Sequence, residues 1–240
     1  MARIVISGPP KQGHRWLRCL FGSIYQLKQL GGSQTPEMKP EAVREWAEQG
    51  GFPENSIFHQ HARFTPELCD AIEAVPAHIV TPVRDPYDVF VSLYYWAQYR
   101  DSDKPEKKKV RARSSVVDKP LDHPDVLAFL ERDFRAHLRK SDRWLHGGRG
   151  TVIRYEDLHR DPIAALTRAT DKIQPVPPER IAAAVEECKA ENMRQKSANL
   201  AKHVRVAKVG DSRDRLSEKH LAIFRDRYAD LIQSLGYEVR

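Results

Sequence analysis

The chain has 240 residues and is basic, with 40 lysines and arginines against 33 aspartates and glutamates, a net charge of +7 and a pI near 9.3. This length suits a single α/β domain over residues 1–240, and the charge suits a polyanionic ligand such as a nucleotide, a nucleic acid or a membrane surface. No uncharged apolar run approaches the roughly 18 residues of a membrane span, and the chain enters a strand at its start without a signal peptide, so a cytoplasmic protein without a transmembrane segment is expected.

The three cysteines, Cys19, Cys69 and Cys188, lie far apart in the sequence. They form no C-x-x-C pair, and no histidine stands at zinc-site spacing from them. We therefore expect free thiols in a reducing compartment.

The first pattern is a strand, a glycine and proline turn, and a helix. Apolar residues over 3–6 precede the sequence Ser-Gly-Pro-Pro-Lys-Gln-Gly, and apolar residues at helical spacing follow it from Leu17. Backbone N–H groups of such a turn and of the helix N-terminus converge on one anion, so the pattern predicts a phosphate site. The alternative is a connection without a ligand.

This turn has the G-x-x-x-x-G spacing of a nucleotide triphosphatase loop but not its ending. His14 and Arg15 stand where Lys and Ser or Thr are needed, so the hydroxyl that holds Mg²⁺ is absent. Lys11 lies inside the turn. From there its ammonium can reach the terminal group of the bound ligand, which is the group that would be transferred. The pattern predicts an anionic nucleotide bound by protein cations rather than by a metal.

A second strand is predicted over residues 56–63, with His59 and His61 on the same side because side chains alternate along a strand. A metal site is one interpretation, although no third ligand is near in sequence. The other is a pair of polar residues at the end of a strand.

A third strand, 78–83, ends at Arg84-Asp85-Pro86, where Asp85 is a good helix N-cap and Pro86 a good first helical residue. Helical spacing continues to Tyr99 and places Ser92 on the same stripe as Asp85. A guanidinium at the end of a strand and a hydroxyl on the following helix favour a second phosphate site, although such turns also occur without a ligand.

The rest of the chain is predicted to form a charged segment near the site and further helices and a strand. The charged stretch 98–120 is predicted to be a solvated loop or a lid over the site. Long helices are predicted over 122–145 and 217–235, a shorter one over 175–189, and a strand over 151–155 that ends at Tyr155.

Four blocks together resemble the PAPS-dependent sulfotransferases, which use 3′-phosphoadenosine 5′-phosphosulfate (PAPS) as donor. Residues 10–17 are similar to the family's 5′-phosphosulfate loop P-K-S/A-G-T/S-T-W-L, and residues 84–92 to its 3′-phosphate motif R-N/D-P-x-D-V-x-V-S. Residues 155–158 match its Y-E-D-L/M, and residues 204–211 resemble its late R-K-G-x-x-G-D-W segment in a degraded form. The resemblance implies an α/β fold of three layers, with a central, mainly parallel sheet flanked by helices, like that of the P-loop nucleotide triphosphatases.

The resemblance also implies roles for individual residues. Lys11 stabilises the leaving group, and His61 takes the place of the family's catalytic base, with His59 as the second candidate. Cofactor contacts are implied for the following residues: Lys11, Gln12, Gly13, His14, Arg15, Trp16, Arg84, Ser92, Tyr155, Arg205, Lys208 and Gly210.

The chain departs from the family at identifiable places. His14 and Arg15 replace two hydroxyl residues that hold the 5′-phosphate, and Val206, Ala207 and Ser212 replace Lys, Gly and Trp of the late segment. The family's dimer motif is not matched, which leaves the oligomeric state open.

The function implied by the resemblance is transfer of a sulfuryl group from PAPS to a hydroxyl or amine of an unidentified acceptor, a small molecule or a glycan. No metal and no nucleic-acid partner are expected. The alternatives are a metal-dependent P-loop kinase, a basic module that binds nucleic acid or another polyanion, and a sulfotransferase-like protein without activity.

Overall fold

A computed structural model describes residues 2–102, 116–196 and 208–240. Its five strands form one sheet in the order β2-β3-β1-β4-β5, and every neighbouring pair is parallel. The strands are β1 (Arg3–Ser7), β2 (Lys28–Gln29), β3 (Ser56–Gln60), β4 (His78–Val83) and β5 (Thr151–Arg154).

Ten helices surround this sheet in the described part of the chain. They are α1 (His14–Tyr25), α2 (Pro40–Glu48), α3 (Pro66–Glu73), α4 (Pro86–Ser102), α5 (Pro124–His146), α6 (Tyr155–Arg160), α7 (Pro162–Ile173), α8 (Pro178–Glu187), α9 (Ala190–Lys196) and α10 (Glu218–Ser234).

The sheet is covered on both faces, which explains why its central strands are apolar throughout rather than alternating. On one face, Ile4, Ile6 and Val80 pack against α1, α7 and α8. On the other, Val5 and Ile79 pack against α2 and α3, while α4, α5 and α10 form a neighbouring apolar cluster beyond the end of β4. The predicted three-layer α/β fold with a parallel central sheet is confirmed.

Several boundaries differ from the predictions. β3 ends at Gln60, so His61 lies just beyond the strand, and Tyr155 begins α6 instead of ending β5. The edge strand β2 was not predicted, because its two residues are too short to show a pattern. α4 continues to Ser102, into the stretch expected to be a loop, whereas the basic run 104–113 of that stretch lies outside the described residues.

The cysteine prediction was wrong for two of the three residues. Cys19 of α1 and Cys188, which caps α8, form a disulfide with their Cα atoms 5.9 Å apart, and the buried Cys69 is free. The pairing was hidden by a sequence separation of 169 residues, and it arises because α8 packs against α1 on the sheet. The argument from three free thiols to a reducing compartment therefore no longer holds.

Reduction of this disulfide is expected to lower the melting temperature by roughly 5–15 °C, because a cross-link over so long a loop typically contributes about 2–4 kcal/mol. Differential scanning calorimetry with and without dithiothreitol measures the shift. The Cys19→Ser/Cys188→Ser variant is the control, since reductant should leave its melting temperature unchanged. Three titratable thiols in protein unfolded without reductant would contradict the pairing.

Within the described residues, no helix is both long enough and apolar enough to cross a membrane.

Candidate functional site

The phosphate loop connects β1 to α1 through backbone conformations that glycine favours. Gly8 and Gly13 have φ of +152° and +100°, and Lys11, a non-glycine residue, has φ of +71°. Gly13 caps the helix, and its carbonyl accepts hydrogen bonds from the N–H groups of Trp16 and Leu17. The first N–H groups of a helix have no intrahelical acceptor, so this end of α1 is suited to an anion.

Gln12 anchors the loop to the rest of the protein. Its side chain is 1% exposed, and Nε2 donates to Oγ of Ser141 on α5 at 2.9 Å. This hydrogen bond ties the phosphate loop to α5. Lys11 is half-buried and extends toward α4, where its Nζ lies 6.0 Å from the ring centroid of Trp96.

Aromatic side chains meet where the loop approaches β5. Tyr155 packs directly on Gly13, so that a Cβ atom at Gly13 would lie 2.8 Å from Tyr155 Cδ2. The ring of Trp16 meets Tyr155 edge to face with centroids 5.7 Å apart, and the Arg84 guanidinium lies 4.1 Å from the centroid of Tyr155. The structure thus brings together Trp16 and Tyr155, two of the residues for which the resemblance implies cofactor contacts, although Tyr155 itself is only 6% exposed.

Gly13→Ala is expected to destabilise the protein by about 1–3 kcal/mol and to weaken nucleotide binding, since the new methyl group meets Tyr155 at a strained backbone conformation. Gly148→Ala is the matched control: Gly148 has φ of +69°, but nothing lies within 4 Å of its added Cβ. Thermal unfolding with and without nucleotide compares the two variants. Equal effects would mean that contact with Tyr155 is not what requires glycine at position 13.

Three histidines gather at the ends of β1 and β3. The centroids of the His14 and His61 rings are 4.7 Å apart, and those of His59 and His61 are 5.8 Å apart. His61 Nδ1 lies 3.1 Å from the carbonyl oxygen of Gly8, and His59 Nδ1 lies 3.2 Å from Nη1 of Arg18. A carbonyl only accepts and a guanidinium only donates, so these contacts assign the two neutral tautomers.

In the neutral state, His61 carries its proton on Nδ1 and has a lone pair on Nε2. His59 has the opposite tautomer, because its Nδ1 accepts from Arg18 and its proton is on Nε2. The segment around His61 is held from α5, where Lys140 donates to the His61 carbonyl at 3.2 Å and Trp144 to the Ala62 carbonyl at 3.1 Å. The geometry favours His61 over His59 as a proton acceptor.

His14 differs in its chemistry from the hydroxyl residue that the family has at this position. Its ring is 4% exposed, and its two nitrogens have no hydrogen bond of normal geometry. Burial, followed by the positive charges that His61 and His59 can carry, lowers the pKa of His14 well below its usual value of 6.5. His14 is therefore neutral at pH 7, and its side chain supplies no positive charge to a phosphate.

The second phosphate motif is joined to the late segment by Asp88. This buried carboxylate accepts from the backbone N–H groups of Gly210 at 2.8 Å and Ser212 at 2.9 Å. Arg84 donates to the carbonyl of Lys208 at 3.1 Å and lies 3.5 Å from Asp88, while its buried Nε has no hydrogen-bond partner among the described residues. Arg84 thus lies next to the backbone of Lys208 and Gly210, and Arg205 lies outside the described residues.

Ser92 is half-buried on α4, one turn beyond Asp88. The Lys208 side chain is exposed, with Nζ 3.5 Å from Asp214.

Glu156 connects the segment 155–158 to the segment 84–92. It accepts from the N–H of Asp85 at 2.9 Å and from the hydroxyl of Tyr237 at 2.8 Å. Burial raises the pKa values of both Glu156 and Asp85, with the Arg240 guanidinium opposing the shift at Asp85.

The site therefore has two groups of anion-binding donors with aromatic rings between them. Lys11 and the N-terminus of α1 form one group, and Arg84, whose buried Nε has no partner in the described part of the chain, belongs to the other. The ring of Tyr155 lies between them, since it packs on Gly13 and under the Arg84 guanidinium, and Trp16 contacts its edge. This donor set fits a nucleotide that carries phosphates at both ends of its nucleoside.

The sulfotransferase domain family matches residues 2–236. The chain belongs to this family. A search of curated protein sequences finds no match.

Solved structures share the fold of this sulfotransferase at low identity. Mouse sulfotransferase SULT7A1 complexed with PAP is 16% identical, with a TM-score of 0.69, and the match covers 97% of this chain and 84% of the mouse chain. Retinol dehydratase in complex with androsterone and the inactive cofactor PAP is 15% identical, with a TM-score of 0.65, over 99% of this chain and 82% of the other.

Sequence reasoning missed three groups in this sulfotransferase site. Asp88 stood within the motif used for the resemblance, and its spacing of four residues from Arg84 was the available signal. Arg18 and Ser141 gave no signal, because their partners lie 41 and 129 residues away. Among the described residues, no group of three or more His, Cys, Asp or Glu has the geometry of a metal site.

Proposed function

We propose that this sulfotransferase transfers a sulfuryl group from PAPS to a hydroxyl or amine of a small-molecule or glycan acceptor. One observation carries the proposal. Lys11, His61 and Arg84 follow three adjacent parallel strands, β1, β3 and β4, and so lie at the same edge of the sheet. This arrangement supports a single site in which Lys11 binds the nucleotide, His61 accepts a proton and Arg84 binds a second phosphate.

When bound, PAPS supplies a sulfuryl group attached to a phosphate leaving group. Lys11 places its ammonium near the loop, where it offsets the negative charge that develops on the departing phosphate. His61 offers its Nε2 lone pair to the proton that the acceptor loses, and a neutral imidazole has a suitable basicity for this at pH 7. Gly8 orients the ring through its carbonyl.

The phosphate site around Arg84 distinguishes a nucleotide that carries a 3′-phosphate from one that lacks it. Arg84 has donors left after its contact with the Lys208 carbonyl, and Asp88 holds Gly210 and Ser212 next to it. Ser92 and Arg205 complete the predicted set. The solved structures with this fold that contain PAP support the assignment of the donor.

Thermal unfolding in EDTA with PAP, AMP, ADP or ATP at equal concentration tests the proposal. PAP at about 100 times its Kd is expected to add roughly 2.7 kcal/mol and to raise the melting temperature by about 5–10 °C. AMP should give a much smaller shift, because it lacks the 3′-phosphate. Stabilisation by ATP and Mg²⁺ alone would favour a kinase, and binding without preference for a 3′-phosphate would favour a general polyanion module.

Arg84→Lys is expected to weaken PAP binding by about 10–150-fold while AMP binding changes little, because lysine cannot reproduce the two-pronged guanidinium. Isothermal titration with both nucleotides measures this, and Arg44→Lys on the exposed surface of α2 is the control. Equal losses for PAP and AMP would show that Arg84 does not bind the 3′-phosphate.

A further inference from the structure

Two arginines on α1 have no carboxylate partner in the part of the chain that the structure describes. Arg15 and Arg18 are both partly buried, and neither forms an ion pair within the described ranges. Burial lowers the pKa of both guanidinium groups, and that of Arg15 is lowered further by the neighbouring Arg18. Partly buried cations usually pair with an anion, because removal from water is costly for an isolated charge. The pair therefore calls for an anionic ligand.

Arg18 is directed toward β3. It stands four residues after His14, on the same stripe of α1, and helical side chains lean toward the N-terminus of their helix. Its Nη1 donates to His59 Nδ1 at 3.2 Å, and the His59 ring is 6.0 Å from His14 and 5.8 Å from His61. The guanidinium thus lies beside the histidine cluster, separated from His61 by one imidazole ring.

The order of strands separates this guanidinium from the second nucleotide anchor. Arg84 and Tyr155 follow β4 and β5, on one side of β1, whereas His59 lies in β3 and His61 directly follows it, on the other side. A nucleotide that extends from the loop to Arg84 occupies the β4 side. The β3 side, with His61 as base, is left for the acceptor.

The donors available on the β3 side suit an oxyanion. A guanidinium has five N–H donors, and within the described residues Arg18 uses one of them on His59. Arginine binds carboxylates through two parallel hydrogen bonds, which fix orientation as well as adding affinity. His14 is neutral and adds no competing charge.

We propose that Arg18, positioned against His59, binds an acidic group of the acceptor, so that the acceptor is a hydroxylated or amino compound that also carries a carboxylate or similar oxyanion. The inference rests on the proposed function, since it takes His61 as the base. In this proposal the acidic group lies at Arg18, which contacts His59, and the reacting hydroxyl lies at His61, whose ring centroid is 5.8 Å from that of His59. Such an acceptor carries its acidic and reacting groups at separate positions, as a uronic acid or a para-substituted phenol does.

The test uses two matched pairs of probes on protein saturated with PAP. They are 4-hydroxyphenylacetate with 4-hydroxyphenylacetamide, and methyl glucuronide with methyl glucoside. Isothermal titration should show each acid binding about tenfold or more tighter than its neutral partner. The Arg18→Gln variant should lose this preference, Arg18→Lys should keep part of it, and the surface variant Arg44→Gln should keep all of it. The Kd for PAP should stay the same in every variant, which also shows that the site is intact.

Two results would overturn the proposal that Arg18 binds an acidic group. One is equal or undetectable binding of the acid and neutral probes by the unaltered protein, and the other is an unchanged preference for the acid probes in Arg18→Gln. A loss of PAP affinity in Arg18→Gln and Arg18→Lys would instead place Arg18 in the cofactor site, and the proposal would fall. Failure of the proposed function is distinguishable, because the unaltered protein would then not bind PAP at all.

Discussion

Lys11→Ala is expected to lower kcat by about 10²–10³-fold while PAP affinity changes by less than about tenfold. The ammonium acts where charge grows during transfer, so it stabilises the transition state more than the bound ground state. The geometry of the loop supports this division. N–H groups at the start of α1 and the loop backbone remain available to the phosphate when the lysine side chain is removed.

The strained backbone at Lys11 requires a second variant. With φ of +71°, alanine at this position keeps the strain and loses only the side chain. Lys11→Asn removes the charge with a residue that tolerates the left-handed conformation, so both variants should show the same loss of kcat. Lys172→Ala on the exposed surface of α7 serves as the control for a lost positive charge.

Sulfate transfer from radiolabelled PAPS gives kcat, and titration with PAP gives the affinity. Equal losses in both quantities would make Lys11 an anchor for the nucleotide without a catalytic role. Unchanged kcat in Lys11→Asn would remove the residue from the reaction.

The local patterns predicted the parts of the fold that depend on neighbouring residues. The apolar runs before Gly8 and Arg84 became β1 and β4, and Asp85 caps α4 by accepting from the N–H groups of Tyr87 and Asp88. Parallel strands align their carboxyl ends, so the loops that follow them meet at one edge without further information. The phosphate loop and the second phosphate motif follow adjacent strands, β1 and β4, and therefore lie at the same edge of the sheet.

Contacts between residues distant in the chain could not be predicted in this way. Gln12 in the loop depends on Ser141 of α5, and Cys19 on Cys188, because of how helices pack on the sheet. The same holds for the tautomer of His61, which follows from the Gly8 carbonyl 53 residues earlier. The alternation of side chains along a strand placed both histidines on the same side, but it gave no chemical reason to prefer either one as the base. The hydrogen bonds at the two Nδ1 atoms give such a reason.

His61→Asn is expected to lower kcat/KM by about 10²–10⁴-fold, the usual contribution of general base catalysis. Asparagine can still donate to the Gly8 carbonyl through its amide nitrogen, so the segment held by Lys140 and Trp144 should stay in place. What disappears is the lone pair at Nε2. PAP affinity should therefore remain close to that of the unaltered protein.

His59→Asn separates the two histidines. The asparagine oxygen can accept from Arg18 as Nδ1 of His59 does, so this variant should keep PAP affinity and lose less than about tenfold in the turnover of a neutral acceptor. Transfer rates for both variants, measured at saturating PAPS, decide between them. If His59→Asn is the more damaging change, His59 is the base, and it must then use Nε2 after releasing Arg18 from Nδ1. The structure makes that the costlier route, because the guanidinium would lose its hydrogen bond to His59, which positions it.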